Sequence, residues 1–345
     1  MDDFIALPSL GWKNYFQQQL SFEELESSTV ARVIAHHRSE YIVQTECQQL
    51  SLPIMINMPK MTVGDWLLIS IDGVFQRLLD RLTLLSRKAA GSKVAEQLIA
   101  SNVDYLFITV SLNHDFNLNR IERYLAIAHE SGCEPVVILT KADLVEHVDE
   151  FKQQVQSLDP MLAVECVNGL SEDTNAILQP WCKTGNTVAL VGSSGVGKST
   201  LVNTLLNKVT QETQGIREDD SKGKHTTTSH SLHFLEGGGI LIDTPGIREL
   251  QISDCQEGIE ATFSDISELT QQCKFNDCQH GSEPGCAVQK AIQANKLDER
   301  RLDNYRKLIR EQERNSASIA QMRSKDKAFG RLIKSTLADK AQFKR

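Results

Sequence analysis

The chain has 345 residues, of which 40% are hydrophobic and 24% are charged. This composition is typical of a globular protein, and the length favours two or three domains over one. No apolar run reaches the roughly 20 residues that a membrane-spanning helix needs, and residues 1–10 lack the features of a secretory signal. We therefore expect a cytoplasmic protein with no membrane partner.

The formal net charge of −8 conceals an asymmetry between the two ends of the chain. Residues 287–345 contain 16 lysines and arginines against 7 acidic residues, a balance of +9 that leaves −17 for residues 1–286. A cationic tail is attracted to a polyanion such as RNA, whereas the acidic remainder argues against indiscriminate coating of nucleic acid.

The stretch between about residues 22 and 71 has the pattern of a small β-domain, with polar and turn residues between its segments and no long helical stripe. Its short β-segments are residues 29–34, 40–45, 53–57 and 65–71. A closed barrel of the oligonucleotide-binding (OB) type suits such a span, so we assign residues 1–85 to an N-terminal extension and an all-β OB-type barrel. A β-domain with no RNA role is the alternative.

From residue 102 onward, apolar strand patterns alternate with helical ones. The strands are expected at residues 103–110, 135–139, 162–166, 187–191, 231–235 and 239–242, and the helices at residues 118–131, 148–158, 173–182 and 201–206. This alternation predicts parallel strands covered by helices on both faces, a doubly wound α/β domain that we place at residues 86–254.

The tetrapeptide TKAD follows the second of these strands. The Asp143 carboxylate could accept hydrogen bonds from the guanine ring N–H and the exocyclic amine, a donor pair that adenine lacks. The Lys141 stem would lie along the base plane. An aspartate after a strand often only caps a helix, but together with the motifs below the segment predicts guanine recognition by Thr140, Lys141 and Asp143.

A glycine-rich phosphate loop, GSSGVGKST, runs directly from the strand at residues 187–191 into a helix. In this context its backbone N–H groups and the helix N-terminus are expected to hold phosphates; a chance match on a turn is the alternative. Lys198 should reach the terminal phosphates and the Ser199 hydroxyl should bind Mg²⁺. The predicted nucleotide-binding residues here are Gly192, Ser193, Ser194, Gly195, Val196, Gly197, Lys198, Ser199 and Thr200.

DTPG ends the strand at residues 239–242. Asp243 is placed to hold Mg²⁺ through water, and the Gly246 N–H to touch the γ-phosphate, so this loop (switch II) should move when that phosphate leaves. The preceding polar stretch, residues 210–229, contains KGKHTTT, in which Thr227 is expected to complete the magnesium site. The alternative for this stretch is a solvated loop, the state we expect without nucleotide.

Four side chains near the C-terminal side have metal-ligand spacing: Cys273, Cys278, His280 and Cys286. Such a set suits tetrahedral zinc, and four protein ligands leave no open position, which predicts a structural site. Four unrelated side chains in one loop are the alternative. We assign residues 255–345 to a helical zinc-binding domain. The basic helical pattern that follows suits either RNA or a solvated face; its residues are Arg300, Arg301, Arg306, Lys307 and Arg310.

The motif order is unusual, because Asp143 precedes Gly192, whereas ordinary small GTPases have the base-recognition motif after the phosphate loop and DTPG. A sheet tolerates such a circular permutation when the original termini lie close together. As a result, switch II leads directly into the C-terminal domain and could transmit its movement there.

The barrel, the motifs TKAD, GSSGVGKST, KGKHTTT and DTPGIREL in that order, and the Cys/His cluster resemble the ribosome small subunit-dependent GTPase A family of bacteria. The similarity covers nearly the whole chain, including RIERYL and SNVDYLFITVS. The resemblance implies a GTPase of late small-subunit maturation that the subunit stimulates, with GTP or GDP, Mg²⁺ and one structural Zn²⁺. Its expected partners are the small ribosomal subunit, its rRNA and assembly factors, and we expect a monomer.

Two positions depart from the family pattern. The family usually has a Ser-Ala pair whose backbone holds the guanine oxygen; the matching residues here are Cys166 and Val167, whose N–H groups could serve. Lys224 stands where the family usually has arginine, which keeps the charge but loses the planar fork.

Water activation needs a group other than the glutamine that many GTPases place after the DTPG-type turn, because Ile247 occupies that position. Chemistry and resemblance both favour His225, although a bystander histidine is the alternative. The predicted catalytic residues are therefore His225, Lys198 and Thr227. A nucleotide-gated RNA-binding adaptor with incidental hydrolysis is the alternative function, and an ATPase is the third.

Overall fold

The computed structural model describes residues 4–88, 96–113, 115–171, 173–207, 230–243, 255–281 and 283–316. These residues divide into two compact units: the first contains the described parts of residues 1–86, 98–250 and 257–264, and the second those of 87–97, 251–256 and 265–345. Within the described ranges, no helix is long and apolar enough to cross a membrane. The three-domain division at residues 85/86 and 254/255 stays a prediction.

The N-terminal segment is helical before it becomes β. After a 3₁₀ turn at Leu7–Leu10 come helix α1 (Asn14–Gln17) and helix α2 (Phe22–Ser27). Helix α2 begins with a capping box, in which the Ser21 hydroxyl accepts the Glu24 N–H and the Glu24 carboxylate accepts the Ser21 N–H. The β-domain was expected to begin at about residue 22, but its first strand begins at Ser28, because local capping chemistry makes residues 22–27 a helix.

Five antiparallel strands follow, in the spatial order β3-β2-β1-β4-β5. They are β1 (Ser28–His36), β2 (Glu40–Gln44), β3 (Gln49–Pro53), β4 (Trp66–Ser70) and β5 (Phe75–Leu78). Residues of β1 to β4 bury one common interior, against which Phe75 and Leu78 of β5 also pack, so the sheet curls around a core as a barrel does. The core residues are Ala31, Val33, Tyr41, Val43, Leu52, Met61, Leu67 and Ile69.

The predicted strand at residues 53–57 is wrong. Strand β3 lies at Gln49–Pro53, and the apolar residues Ile54, Met55 and Ile56 that follow are exposed. The apolar run indicated a buried strand, whereas these side chains lie on a loop facing solvent. Two further strands, β6 (Leu84–Lys88) and β7 (Glu96–Ser101), form a small separate sheet that sequence reasoning missed.

The α/β part has the expected alternation of elements. Its strands are β8 (Tyr105–Ser111), β9 (Glu134–Thr140), β10 (Ala163–Val167), β11 (Thr187–Val191), β12 (His230–Phe234) and β13 (Ile240–Asp243), and its helices are α3 (Leu118–Ser131), α4 (Val148–Gln156), α5 (Asp173–Leu178) and α6 (Lys198–Leu206). The order is β10-β9-β8-β11-β13-β12, parallel except for β12. Helices α5 and α6 share a core with alternate residues of these strands, such as Phe107, Ile138 and Leu190.

The barrel and the α/β sheet are continuous, because β1 pairs with β12 through Ala35↔Ser231 and His36↔His230. Near this seam lies Arg32, whose side chain is 1% exposed. It donates hydrogen bonds to acceptors in four chain segments: Leu10 O (2.5 Å), Gly64 O (3.3 Å), Asn102 O (3.3 Å) and Thr187 Oγ1 (3.0 Å). Burial lowers the pKa of Arg32 to about 10, while Asp104 and Asp65 oppose that shift.

Four helices end the described chain: α7 (Gln256–Thr262), α8 (Ser264–Thr270), α9 (Ala287–Gln293) and α10 (Glu299–Ser316). Helix α7 packs closely on α3, since a Cβ at Gly258 would lie 2.1 Å from Ala126 O. The Glu130 carboxylate accepts the Gly258 N–H at 2.7 Å, and His129 Nδ1 lies 3.1 Å from Thr262 Oγ1. The residues just after switch II are therefore anchored to the α/β core.

Candidate nucleotide-binding and zinc sites

The phosphate loop joins the carboxyl end of β11 to the N-terminus of α6. Its glycines Gly192, Gly195 and Gly197 have φ values of +145°, +78° and +96°, which favour residues without a Cβ. A Cβ on Gly192 would lie 2.3 Å from Thr109 O, so the loop backbone lies directly on β8. Val196 is buried while Ser194 and Gly195 are exposed at the tip.

Lys198 is 7% exposed, and its ammonium donates hydrogen bonds to the carbonyls of Gly192, at 2.7 Å, and Ser193. The charge is thereby held over the loop at the start of α6. No side chain caps this helix, whose N-cap is Gly197. The N–H groups of a helix N-terminus beside a fixed cation form a suitable site for phosphate anions. Ser199 and Thr200 lie in the first turn of α6.

The base-recognition segment touches the phosphate loop. Thr140 ends β9, and its hydroxyl donates a 2.6 Å hydrogen bond to Val196 O. Lys141 has φ +59°, and its ammonium donates to Gly195 O at 3.1 Å. Asp143 follows in the 3₁₀ turn Ala142–Leu144. The structure thus brings together two motifs that the chain separates by about fifty residues.

Cys166 and Val167 end β10, at the same edge of the sheet as the loops after β9 and β11, because these strands are parallel. The segment after β10 continues against α6, where the Thr204 hydroxyl donates to Gly169 O at 2.6 Å. Burial raises the pKa of the Cys166 thiol. The roles proposed for these two residues rest on their backbone groups.

Asp243 ends β13 opposite Ser231 of β12. Ser231 Oγ lies 2.9 Å from Nε2 of His233, and burial lowers the pKa of His233 while Asp243 opposes that shift. Sequence reasoning missed Ser231, which the strand register places opposite Asp243, and His233, whose ring lies beside the Ser231 hydroxyl. It also missed Tyr124 of α3, which hydrogen-bonds Ser193 and whose pKa burial raises; its only signal was the RIERYL segment.

The predicted switch residues His225, Thr227, Lys224, Gly246 and Ile247 lie outside the described residues. Their roles in holding magnesium, sensing the γ-phosphate and activating water stay predictions.

The four predicted zinc ligands are brought together, since one donor atom from each of Cys273, Cys278, His280 and Cys286 lies within 4.8 Å of the others. His280 Nδ1 is 3.5 Å from Cys273 Sγ and 3.7 Å from Cys286 Sγ, and the two sulfurs are 3.9 Å apart. Tetrahedral zinc with bonds of about 2.0–2.3 Å needs donors separated by roughly 3.3–3.8 Å. The donor set therefore fits zinc in chemistry, and the donors of Cys273, His280 and Cys286 lie close to the spacing that zinc needs.

The surroundings favour the protonation state that zinc needs at two of the four ligands, Cys273 and His280, and oppose it at Cys278. Burial opposes ionisation of Cys273, but hydrogen bonds from the N–H groups of Ala287 and Val288 outweigh it and lower the pKa of this thiol. Cys286 is the N-cap of α9, and its sulfur accepts the Gln289 N–H at 3.4 Å. Burial lowers the pKa of His280, which favours the neutral imidazole. Burial raises the pKa of Cys278 to about 11, so metal binding would have to displace that proton.

A family model described as "RsgA GTPase" matches residues 78–253. The "Small ribosomal subunit biogenesis GTPase RsgA 2" of Vibrio parahaemolyticus is 57% identical over 334 residues, which cover 97% of this chain and 93% of the relative. The chain belongs to the RsgA GTPase family. The "Small ribosomal subunit biogenesis GTPase RsgA" of Mesorhizobium japonicum is 46% identical over 316 residues, 90% of this chain and 91% of the relative.

Two solved structures share the fold of this RsgA family member. YjeQ from Thermotoga maritima has a TM-score of 0.62 and 24% identity, covering 81% of this chain and 97% of that chain. YloQ, described as a circularly permuted GTPase, has a TM-score of 0.60 and 22% identity, covering 84% and 96%. The expected fold, with a permuted GTPase domain, is confirmed.

A second family model, described as "ABC transporter", matches residues 178–329. This stretch is less than half of the chain and contains the phosphate loop but not Asp143. Membership in the RsgA GTPase family confirms the predicted enzymatic class, a GTP hydrolase. It also implies GTP, GDP and Mg²⁺, the ion that supplies charge neutralisation at the phosphates when bound. The monomeric state, assembly factors as partners and cytoplasmic location stay predictions.

Proposed function

We propose that this RsgA family member acts on the small ribosomal subunit during its late maturation and hydrolyses GTP when the subunit stimulates it. The observation that carries the proposal is the contact between the permuted motifs, the 2.6 Å hydrogen bond from Thr140 Oγ1 to Val196 O. It fixes the base-recognition segment to the phosphate loop, so that one nucleotide can engage both. Relatives named as small ribosomal subunit biogenesis GTPases support the choice of partner.

Guanine selectivity is assigned to Asp143, which follows the Lys141 contact with the phosphate loop by two residues. Asp143→Asn should weaken GTP binding about 100-fold or more and improve binding of xanthosine triphosphate, whose C2 carbonyl accepts a hydrogen bond where guanine donates one. Fluorescent-nucleotide titration measures both. Asp149→Asn, an exposed aspartate in the first turn of α4, is the control. Equal competition by ATP and GTP against the parent protein would remove this role from Asp143.

Water activation is assigned to His225, on the sequence argument that Ile247 cannot orient water. His225→Ala should keep GTP binding and lose most of the hydrolysis that purified small subunits stimulate. GTP turnover measured with and without subunits tests the enzyme function at the same time. Salt-sensitive RNA binding without stimulated turnover would favour the adaptor function instead.

Switch II is proposed to relay the nucleotide state to the zinc unit, which is the second compact unit and contains the four predicted zinc ligands. Support comes from the short connection: residues 244–254 join Asp243 to Cys255, and α7 follows directly, docked on α3 through Gly258. Because α7 is anchored, a displacement of switch II would strain this helix before it reached α8. Hydrogen exchange in α8 to α10, compared between GTP-analogue and GDP states, tests the relay; identical exchange would exclude it.

RNA contact by the zinc unit is proposed for a narrower surface than the sequence indicated. Arg301 forms an ion pair with Asp265 through two hydrogen bonds of 2.9 Å each. Arg306 donates to backbone carbonyls of the zinc loop, the segment that carries the four predicted zinc ligands. Lys307, Arg310 and Arg314 are exposed and spaced along one face of α10. Replacing all three by glutamine should weaken rRNA binding and lower its salt dependence, by about 0.7–0.9 in log–log slope for each phosphate that the protein no longer neutralises.

A further inference from the structure

Arg306 connects α10 to the zinc loop. From the middle of the helix, its Nη2 donates hydrogen bonds to Gln279 O at 3.0 Å and to His280 O at 2.6 Å. Its Nη1 lies 3.4 Å from the Asp303 carboxylate one turn earlier. One planar guanidinium thus reaches two consecutive carbonyls of the loop and a carboxylate of its own helix, a geometry that the compact ammonium of lysine cannot reproduce.

The backbone at His280 needs such support. Its φ is +59°, in the left-handed region, where a Cβ comes too close to the following carbonyl oxygen. A conformation of this kind persists only when the surrounding contacts enforce it. The His280 carbonyl accepts two charged or amide donors, Arg306 Nη2 and Gln289 Nε2, each at 2.6 Å. Side chains from two helices, α9 and α10, therefore hold the backbone of one metal ligand.

The orientation of the His280 ring follows from that backbone. With the carbonyl held on one side, Nδ1 faces the sulfurs of Cys273 and Cys286 at 3.5 and 3.7 Å. A peptide that rotated away from the left-handed region would carry the ring out of the donor cluster. Outer groups that orient a metal ligand typically change metal affinity 10- to 100-fold when they are removed.

We propose that Arg306 is a positioning residue of the zinc site, which locks His280 in its ligating conformation and so couples zinc affinity to the seating of α10 on the zinc loop. The coupling is reciprocal, as any linkage between two binding events must be. Zinc in the loop holds Arg306, and Arg306 in place raises zinc affinity. The basic helix is thereby a structural part of the metal centre, independently of whether it contacts RNA.

The test uses the full-length protein and zinc alone as the probe, with zinc affinity measured by chelator competition. Arg306→Gln should bind zinc at least about tenfold more weakly, and Arg306→Lys should fall between that variant and the parent. Lys307→Gln, the exposed neighbour on the same helix, removes the same charge and should leave affinity unchanged. Cobalt substituted for zinc should show altered d–d absorption bands in Arg306→Gln but not in Lys307→Gln, because only the first substitution changes the ligand geometry.

Gln289→Ala provides a second route that does not depend on α10. It removes the other donor to the His280 carbonyl, so it should also weaken zinc binding, and its effect should be non-additive with that of Arg306→Gln. If Arg306→Gln does not fold, Gln289→Ala and Arg306→Lys carry the test. Zinc affinity within twofold of the parent and unchanged cobalt bands in these variants would overturn the proposal, as would an equal loss in Lys307→Gln.

Discussion

The phosphate loop and the zinc loop are both short segments that lead into a helix, but they are held in different ways. The phosphate loop lies between buried strands: Val191 is fully buried, and the Gly192 backbone rests on Thr109 of β8. In the zinc loop only one donor residue, Cys286, is buried, and the others are partly exposed. Side chains at its margin, Arg306 and Gln289, provide the support.

The two loops therefore differ in what determines their conformation. Packing against the sheet fixes the phosphate loop before any ligand arrives, because moving it would open the core. The zinc loop buries little, so we expect its shape to depend on a bound ion and on a few polar contacts. Changes to the ion should therefore affect the second compact unit, and changes to the core the first.

Removal of zinc should have the largest effect. Structural zinc typically contributes about 10–16 kcal/mol of apparent binding free energy, so chelation should abolish the protection of α9 and α10 in hydrogen exchange. GDP binding by the first unit should change less than about threefold. Cys278→Ser should reproduce the loss, whereas Cys47→Ser, at an exposed cysteine of the barrel, should not. Persistent protection of both helices after chelation would erase the contrast between the loops.

Substitution of Arg32 should have the next largest effect, on the stability of the first unit. Arg32→Met leaves the acceptors in four chain segments without their buried donor, and we expect the free energy of unfolding of the first unit to fall by about 3–5 kcal/mol. Denaturant melts measure it. Arg38→Met, at an exposed arginine after β1, is the control. A loss below about 1 kcal/mol would mean that the core tolerates change better than the comparison implies.

Two glycines sharpen the contrast within the phosphate loop itself. Gly192→Ala places a Cβ 2.3 Å from Thr109 O and should weaken GDP binding about 100-fold, which corresponds to about 2.7 kcal/mol. Gly195→Ala also has a positive φ, but its Cβ meets nothing within 4 Å, so the loss should stay below about tenfold. Equal losses in titrations of the two variants would show that backbone strain, rather than contact with β8, limits the loop.

The smallest effect should be a pH dependence of the free energy of unfolding, confined to the first unit. Burial lowers the pKa of His129 from its ordinary 6.5, with Asp159 and Glu134 opposing. The unfolded chain therefore takes up this proton first as pH falls through 6.5, and the free energy of unfolding decreases until the folded pKa is reached. His129→Gln should reduce the stability difference between about pH 7.5 and 5.5, and the exposed His37→Gln should not. An unchanged difference in thermal melts of His129→Gln would exclude this contribution.

Elements with strong local signals were predicted well. Helix α3 matches residues 118–131 because Asn117 caps its start and Gly132 ends it in the left-handed region. Strand β11 matches residues 187–191 because it is buried throughout. The error at residues 53–57 arose where an apolar run lies on an exposed loop. Local pattern cannot distinguish such a loop from a buried strand.

The same holds for the candidate site: residues in local motifs were predicted, and residues positioned by distant contacts were not. Contiguous motifs such as the phosphate loop carry their chemistry in the local sequence and could be found there. The inward position of Arg32 depends on residues as distant as Thr187, and the internal role of Arg306 depends on carbonyls 26 and 27 residues away. The helical pattern placed Arg306 among residues expected to face RNA or solvent, because spacing reports charge along a helix but not which partners its tertiary contacts supply.

In the part of the chain that the structure describes, the seam between β1 and β12 is short, with two residue pairs joining the strands. It nevertheless covers the last strand on that side of the nucleotide-binding sheet. A fragment engineered without the barrel would present unpaired backbone groups along β12, and an exposed edge strand of this kind promotes aggregation with other chains. Shortened forms of this enzyme should therefore be designed with a replacement strand or a charged barrier at β12 if they are to stay dispersed.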